Sequence, residues 1–209
     1  MALIGVAEQT RISAAIAEVE RNTNAELVTV LAAACDDYRY IPLLWAALVA
    51  LVVPSALYFT PISIAWMITT QLTVFLVLAV LLQIETLRAR LIPKGVRNLR
   101  AANMARRQFL EQGLHHTDGD IGVLIFVSEA ERYVEILVDR GISATVGDDR
   151  WASIIEEFVT DVHEGRIEQG FLTALKRCGE ILAEAVPKTP DNHNELDNRL
   201  VLVGYDPVE

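Results

Sequence analysis

Polar and apolar positions are segregated along this chain: from Ile41 to Ile84 no Asp, Glu, Lys, Arg or His occurs, whereas on either side apolar residues recur at helical or strand spacing among polar ones. The uncharged stretch divides at Thr60-Pro61. Ile41 to Phe59 (IPLLWAALVALVVPSALYF) would span roughly 28 Å as a helix, close to the hydrocarbon thickness of a bilayer. Ile62 to Ile84 (ISIAWMITTQLTVFLVLAVLLQI) supplies about 23 more residues, enough for a second crossing with some tilt. With so short a connection the two helices must be antiparallel, which predicts a two-helix transmembrane hairpin. Pro54 removes one backbone donor and predicts a kink, and Thr69, Thr70, Gln71 and Thr73 are expected to bond across to the first helix where there is no water. Tyr38, Tyr40 and Trp45 at one end, with Tyr58 and Phe59 at the other, fit the aromatic belts of the two interfaces.

Before the hairpin, Ile12, Ala15, Ile16 and Val19 predict an amphipathic helix over Thr10 to Asn22, and Ala25 to Ala34 reads as a strand. Glu26 in that strand is expected on a solvated face by period-2 alternation. A single helix and strand cannot bury a core of their own, so they must pack against chain that follows the hairpin. There, Leu99, Ala102, Ala105 and Phe109 predict a helix over Val96 to Gln112 with Gly113 as its stop. Ile121 to Val127 (IGVLIFV) is apolar throughout, the pattern of a strand covered on both faces. Ser128 to Glu131 turns the chain and Tyr133 to Val138 returns antiparallel, with Glu131-Arg132 read as solubilising the turn. Ile142 to Val146 offers a further short strand. Helices follow over Asp148 to Glu164 and Arg166 to Ala185, separated by Gly165 and closed by Pro187. The tail is polar apart from Leu200 to Val203 (LVLV), which suits an edge strand or docking segment.

These elements predict an α/β sandwich, a central mixed sheet with helices on both faces, interrupted by the hairpin. The expected organisation is one soluble domain from residues 1–40 and 85–187, a transmembrane insertion at 41–84 and a tail at 188–209. Composition sharpens this. The 209 residues carry a net charge of -10, all of it outside the hairpin, and an acidic soluble part argues against nucleic acid as a partner, because such binding needs Lys and Arg on phosphates. Glu8, Arg11, Glu18 and Glu20 fall where a secretory signal would be apolar, so the first span is expected to direct insertion itself. Arg39 precedes the first span, Arg88, Arg90, Lys94, Arg97 and Arg100 follow the second, and the turn between them is uncharged. Both termini and the soluble domain are therefore expected on the cytoplasmic side of an inner or plasma membrane, with the lipid bilayer as a partner. Cys35 and Cys178 lack metal or disulfide spacing and read as small core residues.

The stretch GVLIFVSEAERYVEILVDRGI (Gly122 to Ile142), Trp151, the Gly165 and Gly170 helix signals, the early AELVTV strand, Asp37-Tyr38-Arg39 and the tail's Asn194-Glu195-Leu196 together resemble the TPM-domain family, in particular its bacterial membrane-protein branch. The resemblance implies a TPM-like sandwich. The family includes thylakoid proteins linked to photosystem II repair and an auxiliary subunit of acetylcholine receptors, and some members are described as acid phosphatases or divalent-metal binders. This chain departs from the commoner layout, in which a signal peptide exports the domain and a membrane helix follows it.

Candidate chemistry lies in acidic loops near strand ends: Asp118 and Asp120 in HHTDGDIG, Asp139 after the second long strand, and Asp148-Asp149 before a helix. Such oxygens could hold Ca²⁺ or Mg²⁺. They equally suit turns and N-caps. His115-His116 beside the loop could titrate near neutral pH or ligate. There is no Gly-rich phosphate loop, no G-x-S-x-G and no H-E-x-x-H, and neither cysteine is followed by a phosphate-holding Arg. The reading favoured by these features is a non-enzymatic assembly or maintenance factor that engages a membrane protein or a second copy of itself. The alternative is a metal-dependent acid phosphatase using the loop aspartates. Without an intramembrane charge, the spans make a poor ion pathway.

Overall fold

The computed structural model describes residues 4–190 and 194–205, and it divides into two compact units, Asp36–Arg97 and Met1–Cys35 with Asn98–Glu209. In chain order the elements are α1 (Val6–Glu20), β1 (Glu26–Ala32), α2 (Tyr40–Leu57), α3 (Ile64–Leu81), α4 (Glu85–Leu91) and α5 (Lys94–Glu111), then a 3-10 turn (Leu114–His116). After these come β2 (Gly122–Ser128), β3 (Tyr133–Val138), α6 (Arg140–Ser143), α7 (Asp148–His163), α8 (Ile167–Ala185) and β4 (Leu200–Val203).

The sheet is mixed, in the order β3-β2-β1-β4. β1 and β2 run parallel with Glu26 opposite Gly122 and Ala32 opposite Ser128, β3 returns antiparallel along β2, and the tail closes the other edge as β4, parallel to β1. Alternation sorts the side chains of the two central strands. Leu27, Leu31, Val123, Ile125 and Val127 join α1, α7 and α8 in the larger core. Val28, Val30, Leu124 and Phe126 face the other way, onto Ala101 and Ala105 of α5 and onto Leu114. With both faces covered, every residue of β1 and β2 is buried.

Glu26 thereby departs from expectation. The strand it starts is central and covered on both faces, so it has no solvated side, and Glu26 is 2% exposed. Glu131 departs likewise, being buried in the β2–β3 turn. The expected strand over Ile142 to Val146 is instead α6 and the turn after it. Ile142 and Val146 are four apart, a helical spacing, and the Val146 N–H donates to the Ile142 carbonyl at 2.9 Å. Asp139 starts this helix by accepting from the Arg140 N–H at 2.8 Å.

In the other unit, α2 and α3 form a helical hairpin, and each is long and apolar enough to cross a membrane. α2 contains Pro54 and buries Ile41, Pro42, Ala46 and Ala50. The small pair Ala46 and Ala50, one turn apart, permits close helix packing. α3 buries no residue at all, leaving Trp66, Leu76 and Val80 among a broad exposed apolar surface. The threonines do not bond across. Thr69, Thr70 and Thr73 donate to the carbonyls of Ala65, Trp66 and Thr69 in their own helix, at 2.8, 2.9 and 2.8 Å, since the carbonyl one turn back is the nearest acceptor.

Candidate functional site

The β2–β3 register sets the site. Because β2 starts at Gly122 and β3 ends at Val138, the loop before one strand and the loop after the other meet at the same end of the sheet. The Asp139 N–H donates to the Gly122 carbonyl at 2.9 Å, and the Gly141 N–H to the Asp120 carbonyl at 2.9 Å. Gly141 is required there. A β-carbon on it would run into the Gly119 and Asp120 carbonyl oxygens. Asp120 turns the chain with φ 55, a left-handed conformation that Asp tolerates better than most residues.

The structure thus brings Asp118, Asp120 and Asp139 to one sheet end. Asp118 and Asp120 are exposed, and the Asp118 N–H donates to Glu195 Oε1 at 3.1 Å. Asp139 uses one oxygen to cap α6, while its Oδ2 is buried without a hydrogen-bond partner. Asp148 and Asp149 occupy the first turn of α7, where negative charge complements the helix dipole. The His115 and His116 rings lie against each other, centroids 3.8 Å apart and planes tilted by 43°. Among the described residues, no three His, Cys, Asp or Glu side chains converge as a metal site.

Two buried carboxylates lie next to this loop: Glu26, which alternation placed on a solvated face, and Glu20, which the sequence pattern did not single out as a site. Glu26 Oε1 accepts from the Glu195 N–H and Oε2 from the Leu196 N–H, each at 3.2 Å, so one buried side chain ties the tail to the start of the central strand. Glu195 completes the connection by reaching Asp118. Glu20, at the end of α1, accepts from the Leu27 N–H at 2.9 Å. Burial pushes the Glu20 carboxyl up to about 7; the Leu27 N–H opposes this, the neighbouring Glu26 charge adds to it, and Asn198 and Lys188 oppose it. Burial also raises Glu26, against the two tail N–H groups. No local pattern marks either residue. The only hint is that Glu195 and Leu196 belong to the Asn194-Glu195-Leu196 segment that carries part of the family resemblance.

At the opposite end of the sheet, Glu131 accepts from the Ser128 hydroxyl and from the Cys35 N–H at 3.2 Å. It anchors the β2–β3 turn to the chain leaving β1. Cys178 lies fully buried in α8, and burial drives its thiol up to about 12, so it is a core residue rather than a nucleophile.

Comparison with known proteins agrees with this architecture. The TPM domain model matches residues 88–181, which runs from α4 to α8 and leaves β1 and β4 of the same sheet outside it. No curated protein matches the sequence. Among solved structures, the chain is similar to BA42 from the psychrophilic bacterium Bizionia argentinensis, solved by NMR. The TM-score is 0.59 at 18% identity, over 95% of this chain and 94% of that one. The chain is thus similar to the TPM domain over residues 88–181, within an α/β fold that it shares with BA42.

Proposed function

We propose that this chain is a membrane-anchored TPM domain that serves assembly or maintenance of membrane proteins by binding them, not by turning over a substrate. The observation carrying the anchor is α3, an 18-residue apolar helix with no buried residue. In water such a surface costs roughly 25 cal/mol per Å² of apolar area, whereas lipid accepts it on every side. The core helix of a soluble protein would be enclosed by its own fold. Uncharged residues at the hairpin turn and cations at its base support a topology with both termini in the cytoplasm. The protein should resist extraction by alkaline carbonate, and tags at both ends should be reached only after inside-out vesicles are exposed. Recovery in the carbonate supernatant, or tags labelled from opposite faces, would refute the anchor. Crosslinking in native membranes should capture a partner or a second copy; a monomer without crosslinks refutes the binding role.

A second reading rests on the buried, unpartnered Oδ2 of Asp139. Ca²⁺ or Mg²⁺ beside the 118–120 loop would give that oxygen a partner, with Asp118 and Asp120 swinging in to complete an all-oxygen shell, and a bound ion would supply Lewis acidity to a phosphate ester. The chain's own contribution would be Asp139, held by the α6 cap, and the turn fixed by Gly141. Calorimetric titration with each ion should show binding that Asp139→Asn abolishes, and hydrolysis of a generic phosphate ester should fall with chelator. No heat and no hydrolysis remove this reading.

A further inference from the structure

Taking the anchor reading as its basis, we infer that the base of the hairpin binds the phosphate headgroups of anionic phospholipids, through Arg39, Arg88, Arg90, Lys94 and Arg97. These cations belong to the same compact unit as the spans. Tyr38 and Ile41 at the start of α2 pack with Ile92, Leu91 and Val96, and Gln83 Nε2 donates to the Arg39 carbonyl at 3.5 Å. The segment before the first span and the segment after the second therefore close on each other at one end of the helix pair. That end gathers all five cations. The other end, Tyr58 to Ile62, has none.

The unit holds five cations against three acidic residues. The unit's acidic residues are Asp36, Asp37 and Glu85, and Asp36 Oδ1 already accepts from the Tyr38 N–H at 3.3 Å. Among the described residues, no salt bridge engages Arg88, Arg90, Lys94 or Arg97, while arginines elsewhere in the chain are paired, Arg150 with Glu184 and Arg177 with Glu157. Arg97 goes further: its Nε is buried without a hydrogen-bond partner, and a guanidinium with unmet donors suits a tetrahedral oxyanion.

Continuity with the spans selects the ligand. Arg88 follows Ile84, the last residue of the uncharged stretch, by a single turn of helix, and Ile84 and Leu87 are exposed apolar neighbours. Cations at that depth meet the phosphate layer while Ile84 and Leu87 meet acyl chains, the arrangement of a juxtamembrane basic segment. The whole chain carries net charge -10 even with these five cations counted, so an anionic surface would repel the remainder and attract only this collar.

The test uses the full chain reconstituted into vesicles of phosphatidylcholine alone or with one part in four phosphatidylglycerol, followed by flotation and native mass spectrometry of the lipids retained after mild detergent extraction. A Lys or Arg near an anionic surface is worth roughly fivefold in binding, so the ratio of phosphatidylglycerol to phosphatidylcholine among the retained lipids should exceed the bulk ratio at least about tenfold. Arg88→Gln, Arg90→Gln, Lys94→Gln and Arg97→Gln combined should return it to the bulk ratio while the protein still floats. Arg150→Gln with Arg177→Gln should leave the enrichment intact. Raising salt to about 0.5 M should erase it in the unmodified protein, because the Debye length shrinks below the reach of surface charges; this arm needs no substitution to fold. Wild type that floats with neutral vesicles yet shows no enrichment, or a fourfold variant that keeps it, overturns this inference alone. Wild type left in the aqueous fractions overturns the anchor and this inference with it.

Discussion

Glu20→Gln removes a buried charge while keeping its shape, and its effect should reverse the usual expectation for losing a carboxylate. Glu20 is 6% exposed, and burial together with Glu26 raises its carboxyl from 4.5 to about 7. A raised folded-state value means that the unfolded chain releases this proton first as pH rises. The native state is therefore penalised progressively from about pH 4.5 and fully above about 7. At 1.36 kcal/mol for each pH unit of separation, the penalty is on the order of 3 kcal/mol at pH 8 and vanishes near pH 4. A glutamine is neutral at both. Its carbonyl can still accept from the Leu27 N–H, now at 2.9 Å from Glu20 Oε1, and its amide can donate toward Glu26.

Glu20→Gln should thus stabilise the domain by about 2–3 kcal/mol at pH 8, roughly 5–10 °C in Tm for a chain of this size, and leave it within about 0.5 kcal/mol of the original at pH 4.5. The assay is thermal unfolding in detergent across that pH range, followed by fluorescence of Trp151, which is buried in α7. Trp45→Phe and Trp66→Phe in the background silence the hairpin tryptophans. A variant that is less stable than its parent at pH 8, with an unchanged pH profile, would refute the reasoning, because it would mean that the ionised carboxylate is favoured in place.

Other substitutions test separate contacts. Glu131→Ala strands the Cys35 N–H and the Ser128 hydroxyl that Glu131 accepts from, and should cost about 2–3 kcal/mol in denaturant unfolding; a loss below about 0.5 kcal/mol would make the contact incidental. Gly141→Ala drives a β-carbon into the carbonyls of the 118–120 loop and should lower stability by more than about 2 kcal/mol, with loop amide resonances shifting most; an unperturbed spectrum contradicts the packing. Thr69→Val and Thr73→Val remove hydroxyls that bond only to their own helix and should change hairpin stability by less than about 0.5 kcal/mol in a steric-trap measurement. A loss of about 1–2 kcal/mol, the scale of an interhelical bond in lipid, would show that they reach across after all.

Why some of this was legible and some was not follows from how far each residue's environment lies along the chain. The hairpin is read from composition because length and apolarity, both counted residue by residue over Ile41 to Ile84, decide whether a helix could cross a membrane. α7 and α8 are read from periodicity, since Trp151, Phe158, Phe171 and Leu182 lie on faces set by helical geometry alone. β2 declares burial on both sides because IGVLIFV has no polar member. β1 is equally buried, but its ELVTVLA begins with Glu26, and an acidic residue in a strand reads as a position on a solvated face. What makes Glu26 tolerable in the interior is a pair of N–H groups from residues 195 and 196, and no window around Glu26 contains them. The aspartates show the same divide. Their loops are visible as turn chemistry, and the meeting of Asp118, Asp120 and Asp139 follows once β2 and β3 are paired. Whether such groups converge on an ion depends on side-chain directions across separate loops, and there the described structure assembles no three-ligand set. A helix long and apolar enough to cross a membrane is a local property, legible in composition; a buried carboxylate held by a distant tail is a pairwise property, visible only when both partners are in place.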